Sequence, residues 1–326
     1  MYQPAVFHIF EPLIILPETE YENQSKLLSD FFKNCKTPDI KTHLTNTFYK
    51  KSSSRRKQMY KTCFKNNVCF RHRSDNFRKP PFCKNPLFSE TLRALNLYQK
   101  CGPVNLSLSD QVCENKNKIR VAKVIRLHAI QQLKSEFSGL TDFHVIYLVR
   151  DPRGMASSRF GLKGNGWTET DKRHKLGNIC IRYKENYEFL KSENSNWIRD
   201  KVTVLRYEDF SLNPELYVDS IFERVGIKTG IDRVKLELHK LSEARKKKRR
   251  KKRLALQTVT LKEHKFTTVR NSSDVVFAWR DKLDWDTVNH VQLGCSKEVM
   301  DWYGYQFFSE DNFSNNVRPI VDGWTF

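Results

Sequence analysis

Apolar positions in this chain fall into short runs and a few helical stripes, separated by charge-rich segments. The most informative run is 143–149 (FHVIYLV), rich in β-branched and aromatic residues and short enough for a buried strand of a parallel sheet. It ends abruptly in Arg150-Asp151-Pro152-Arg153. Asp151 suits a helix N-cap and Pro152 the first helical position, so the chain should turn there from strand into helix. Runs at 5–10, 120–127 and 202–210 predict further strands. Leu176, Ile179, Tyr183, Tyr187 and Leu190 share one face of a long helix expected over about 171–193, and core packing is explanation enough for that stripe. A shorter helix at 129–137 makes a β-α-β unit with right-handed crossover, and a last helix is expected over 288–303. Strands alternating with helices predict an α/β fold, a parallel sheet flanked by helices.

The strand-to-helix junction at 150–153 offers free backbone N–H groups and the positive end of a helix dipole, a usual setting for an anion. Arg150 adds a planar fork suited to phosphate oxygens, and Ser158 adds a hydroxyl about two turns along. A phosphate pocket is one reading; an Arg150–Asp151 pair with serines that merely cap or pack is the other. Glu11, beside Pro12 at the end of the first strand, is either an exposed edge carboxylate or a general base. Lys123 and Arg126 follow a strand end, where basic residues are more often surface charges, and His128 is a competing base candidate.

The 326 residues can bury a full core, and no apolar stretch approaches the ~18 residues needed to span a bilayer. The N-terminus lacks the charged head and apolar middle of a secretory signal. A net charge of +21 points to an anionic partner, and nine of the basic residues form one run, 245–253. Alone, that run reads as a nucleic-acid or nuclear-localisation patch; next to an anionic acceptor it reads as a basic loop. Of eight cysteines, six lie between residues 35 and 113 without a C-x-x-C pair, which argues for disulfides in an oxidising compartment over a zinc cluster. Four N-x-S/T sequons, at Asn23, Asn105, Asn271 and Asn312, are compatible with a secretory route. Residues 161–167 are glycine-rich but lack the lysine and Ser/Thr of a Walker loop.

Segment 143–159, with Arg150 and Ser158 eight positions apart, resembles the 3′-phosphate-binding element of the carbohydrate sulfotransferases. These enzymes use 3′-phosphoadenosine 5′-phosphosulfate (PAPS). Phe10-Glu11-Pro12-Leu13, Lys123-x-x-Arg126-Leu127, Arg206-Tyr207-Glu208-Asp209 and Arg270-Asn271-Ser272 with Trp279-Arg280 are similar to further segments of the same family. The resemblance implies a single domain over 1–326 with a P-loop-kinase-like sulfotransferase fold, an irregular Cys- and Lys/Arg-rich insertion over about 35–118, and the basic loop at 245–253. It implies PAPS-dependent sulfuryl transfer to the 6-hydroxyl of galactose, N-acetylgalactosamine or N-acetylglucosamine in a glycan or proteoglycan. Glu11 would be the general base, and Arg150, Ser158, Arg270 and Ser272 would bind the donor's 3′-phosphate. Arg280 and residues 206–209 would be structural. No metal or redox cofactor is implied, and no nucleic-acid partner. The family's first strand-loop-helix with its 5′-phosphosulfate loop, and its membrane anchor, should precede Ala5. Their absence from this chain implies an N-terminally truncated form with weak or no activity, the longer native form residing in the Golgi lumen. Two alternatives stay open: a catalytically impaired sulfotransferase-like protein, or a basic nucleic-acid or polyanion binder. A Cys180–Cys295 bridge would tie two helices together, though spacing by itself does not establish it.

Overall fold

The computed structural model describes residues 6–15, 21–37, 74–84, 101–115, 119–160, 169–192, 196–227, 231–232, 234–236, 238–239, 275–315 and 320. They form two compact units, residues 1–141 and 142–326, taken here one at a time. Among the described residues no helix is long and apolar enough to cross a membrane.

In the first unit, β1 (Val6–Phe10) alternates, and its inward residues Phe7 and Ile9 are fully buried. The Phe7 ring meets Phe31 of α1 (Tyr21–Asn34) at 6.1 Å and Phe77 at 6.0 Å. Helix α2 (Leu106–Glu114) starts at Asn105, whose side chain accepts the Leu108 N–H at 3.0 Å. Cys35–Cys113 ties α2 to the end of α1, and Cys83–Cys101 closes a second loop. The expected stapling of the cysteine-rich insertion is therefore present. Strand β2 (Ile119–Lys123) pairs parallel with β1, Phe10 opposite Lys123. Helix α3 (Gln131–Glu136) packs on α1, where the Ser29 hydroxyl donates to the Glu136 carbonyl at 3.0 Å.

In the second unit, β3 (Val145–Val149) leads into α4 (Pro152–Phe160), α5 (Glu169–Ser192) and α6 (Asn196–Lys201), then β4 (Val202–Arg206). Strand β4 pairs parallel with β3, Val149 opposite Arg206. All five residues of the predicted α5 stripe are buried. The chain continues through α7 (Tyr207–Leu212) and α8 (Pro214–Arg224), the latter with proline in its first turn. After it come α9 (Trp285–Cys295), α10 (Lys297–Trp302) and α11 (Glu310–Ser314). Cys180–Cys295 bridges α5 to α9.

Parallel strands with helices between them fit the expected α/β class. The described strands form two two-stranded ladders, β1–β2 and β3–β4. Three expectations change in detail. Strand β3 is not buried on both faces, because Ile146 and Leu148 remain 42% and 51% exposed. The strand expected to run to residue 210 stops at Arg206, whose guanidinium folds back one helical turn onto Asp209 (2.5 and 3.1 Å). The helix expected over 288–303 breaks at Ser296, where a φ of 72° leaves the right-handed helical region.

Candidate functional site

The second unit places Arg150 and Ser158 together as their spacing suggests. Arg150 leaves the end of β3, and its Nη1 donates to the Ser158 Oγ at 3.2 Å. Ser158 is exposed, so its own proton is available to a bound anion. The guanidinium lies 4.7 Å from the Tyr207 ring centroid. Its Nε is buried and, among the described residues, has no hydrogen-bond partner. A half-buried planar guanidinium beside an exposed hydroxyl is the chemical complement of an oxyanion.

The neighbouring groups have other duties. Asp151 caps α4 as expected: its Oδ1 accepts the Arg153 N–H at 2.9 Å. The protein's own carboxylate thus occupies the helix N-terminus expected to receive an anion, and the anion-seeking group is the Arg150 fork on the flank. Nor does Arg150 pair with Asp151. The fully buried Arg153 does, donating from Nε and Nη2 at 2.9 and 2.8 Å, and its Nη1 reaches Gln292 Oε1 and the Gln306 carbonyl at 2.9 Å each. Arg153 also lies over the Trp279 and Phe308 rings, so it is a core brace. Arg280, expected to be structural, donates to the Phe313 carbonyl at 2.8 Å.

Two groups hold the backbone beneath Arg150. The Tyr183 hydroxyl accepts the Arg150 N–H at 3.0 Å and donates to the Arg150 carbonyl. Glu208, fully buried, accepts the Asp151 N–H at 3.0 Å and the Tyr305 hydroxyl at 2.9 Å. Burial, and then the nearby Asp151 charge, push the Glu208 carboxyl up to about 7.

Gly154 is tightly packed in this arrangement. A Cβ at 154 would sit 3.3 Å from both Arg150 Nε and Trp279 Cδ1, while one at Gly177 would meet nothing within 4 Å. Gly154→Ala should therefore displace the Arg150 fork and lower stability, with overpacking of about 1–3 kcal/mol outweighing the ~1 kcal/mol helix gain. Gly177→Ala should stabilise, and thermal melts of the two variants read the contrast.

The first unit contains Glu11. It is 2% exposed and, with a φ of 54°, sits in the left-handed region unusual for a residue with a side chain. Its N–H donates to the Lys123 carbonyl at 2.7 Å. Oε1 accepts the Ile125 N–H at 3.3 Å, and Oε2 lies 3.3 Å from Arg126 Nη1. Burial pushes the carboxyl above its ordinary range, opposed by the Arg126 charge and the Ile125 N–H. The Ile125 N–H and the Arg126 guanidinium hold this buried carboxyl in place. Arg126 is thus a partner of Glu11, a role that spacing alone did not single out. Arg270, Ser272, the 161–167 loop and the 245–253 run lie outside the described residues. Sequence reasoning missed Tyr183 and Glu208 as supports of Arg150, because a tyrosine in a core stripe carries no sign that its hydroxyl has a separate task.

Parallel strands followed by helices, with an arginine fork leaving the end of one of them, place the chain among the α/β proteins. The sulfotransferase domain family matches residues 61–303, three quarters of the chain, a range that includes Arg150, Ser158, Arg270 and Ser272 but not Glu11. The chain belongs to the sulfotransferase family. It is 25% identical over 307 residues to mouse carbohydrate sulfotransferase 1, covering 90% of this chain and 66% of that protein. It is 27% identical to the rat protein of that name over 74% of this chain and 58% of the relative. With mouse carbohydrate sulfotransferase 3 the identity is 23% over 98% of this chain and 66% of the relative. The match therefore spans less than two thirds of the length of these relatives. No solved structure matches the chain.

Proposed function

We propose that the protein transfers the sulfuryl group of PAPS to the 6-hydroxyl of galactose, N-acetylgalactosamine or N-acetylglucosamine in a glycan or proteoglycan. It would do so in the Golgi lumen, as a single domain of P-loop-kinase-like fold. The observation that carries this reading is the Arg150 fork at the end of β3, bonded to the exposed Ser158 at 3.2 Å. The relatives, themselves named carbohydrate sulfotransferases, support the sugar acceptor. The disulfides and the sequons support an oxidising, lumenal compartment.

In this reading Arg150 and Ser158, joined by Arg270 and Ser272, take the 3′-phosphate of the donor. Glu11 accepts the proton of the sugar hydroxyl as the new S–O bond forms. The bond from sulfur to the 5′-phosphate oxygen breaks, and its electron pair leaves with adenosine 3′,5′-bisphosphate. Sulfuryl transfer, like phosphoryl transfer, depends on positioning and on charge stabilisation at the leaving oxygens. The experiment is calorimetric titration of adenosine 3′,5′-bisphosphate into the full chain and into a chain lacking 245–253. Binding by both is expected. Loss of binding on deletion, with retention of single-stranded oligonucleotide by the full chain, would make this a polyanion binder.

A further inference from the structure

We propose that the Tyr183 hydroxyl and the Glu208 carboxyl are positioning groups for the phosphate pocket, clamping the backbone of Arg150 and Asp151 so that the guanidinium fork is aimed before the ligand arrives. The inference rests on the reading of Arg150 and Ser158 as phosphate ligands.

The ladder between β3 and β4 ends at Val149 opposite Arg206, and β4 turns directly into α7 at Tyr207. The peptide groups of Arg150 and Asp151 therefore lie where the ladder gives out, and backbone polar groups near a core need partners. A single hydroxyl, from Tyr183, serves both the N–H and the C=O of Arg150. The next N–H, that of Asp151, goes to Glu208. Each clamp group is itself held in place. The Tyr183 ring, on the helix that Cys180–Cys295 ties to α9, packs edge-on against Tyr303 at 5.3 Å, and Glu208 receives the Tyr305 hydroxyl. Tyr207, adjacent to Glu208, places its ring under the guanidinium. Two helices, α5 and α7, thus converge on two residues at a strand end.

Core packing does not require this chemistry. Phenylalanine would fill the α5 stripe as well as Tyr183, and a fully buried carboxyl such as Glu208 costs desolvation wherever it sits. What these polar atoms add is a fixed origin for the Arg150 side chain. A binding fork has to be held to within about 0.5 Å to be worth its full hydrogen-bond energy.

The test compares adenosine 3′,5′-bisphosphate with adenosine 5′-phosphate, which lacks the 3′-phosphate, by calorimetry on the full chain. The ratio of the two affinities isolates the 3′-phosphate, and thermal melts run in parallel. Tyr183→Phe, which removes one oxygen, should cut the ratio about tenfold. Glu208→Ala should cut it similarly, and Glu208→Gln, which keeps an acceptor for the Asp151 N–H, should recover most of that loss. Melts that drop in Tyr183→Phe and Glu208→Ala while the ratio stays at its original value would mean a purely structural role and overturn the clamp. Arg150→Ala is the reference. If it lowers the ratio and the clamp variants do not, the clamp alone fails. If it too leaves the ratio unmoved, the phosphate reading fails and takes the clamp with it.

Discussion

Arg150→Ala should weaken adenosine 3′,5′-bisphosphate binding at least about a hundredfold, because each charge-assisted hydrogen bond to phosphate is worth roughly 1.5–3 kcal/mol and the fork makes more than one. Folding should survive the change. The side chain is half-buried and touches Ser158, Tyr207 and the Gly154 surface, whereas the core arginine of this segment is Arg153. Arg150→Lys should recover little, since a point charge on a flexible stem cannot reproduce two parallel N–H bonds. Isothermal titration decides the matter, with circular dichroism to show that the variants are folded. Undiminished affinity in Arg150→Ala would remove the phosphate site from this part of the chain.

The second large effect concerns Glu11. In the longer native form, Glu11→Gln should reduce kcat by about 10²–10⁴-fold, the usual contribution of a positioned general base, with little change in the affinity for the nucleotide product. Glutamine still offers an oxygen to the Ile125 N–H, so the strand end should remain folded and a melt can verify it. Arg126→Met adds a test of sign. Burial raises the Glu11 carboxyl, and the Arg126 charge is the largest influence pulling it down. Removing that charge should raise the carboxyl further. A base must be ionised to act, so the acid limb of the kcat/KM profile should move to higher pH in Arg126→Met. A limb that stays in place, or moves to lower pH, would show that another group, with His128 the first to examine, limits the rate.

Much of this site was legible in advance, and the reasons are local. Asp151 and Pro152 are cap and first-turn residues whatever surrounds them, so the strand-to-helix turn could be placed to the residue. The spacing of Leu176, Ile179, Tyr183, Tyr187 and Leu190 has the helical period, and these residues are buried on α5. An Arg and a Ser eight positions apart across such a turn meet as the resemblance implied. The break at Ser296 and the early end of β4 were not legible. A single positive φ and an Arg206–Asp209 fold-back carry no signal that periodicity can register.

The division of labour between the two arginines shows where sequence reasoning stops. Arg150 and Arg153 flank the same Asp-Pro pair, and nothing in the tetrapeptide says which one faces a ligand. Gln292 and the Gln306 carbonyl decide it, from positions 139 and 153 residues further along the chain, by satisfying Arg153 inside the core. Burial of Glu11 with Arg126, across 115 residues of sequence, is likewise a product of the β1–β2 pairing.

The sequence by itself determined the class of fold, the strand-to-helix turn and the presence of a basic, serine-bearing element beyond it, since all three follow from short-range propensity and periodicity. Only the tertiary structure decided which of the two arginines is satisfied inside the core, which glutamates are buried, and what holds them. Those outcomes depend on partners distant in sequence that the fold alone brings within reach.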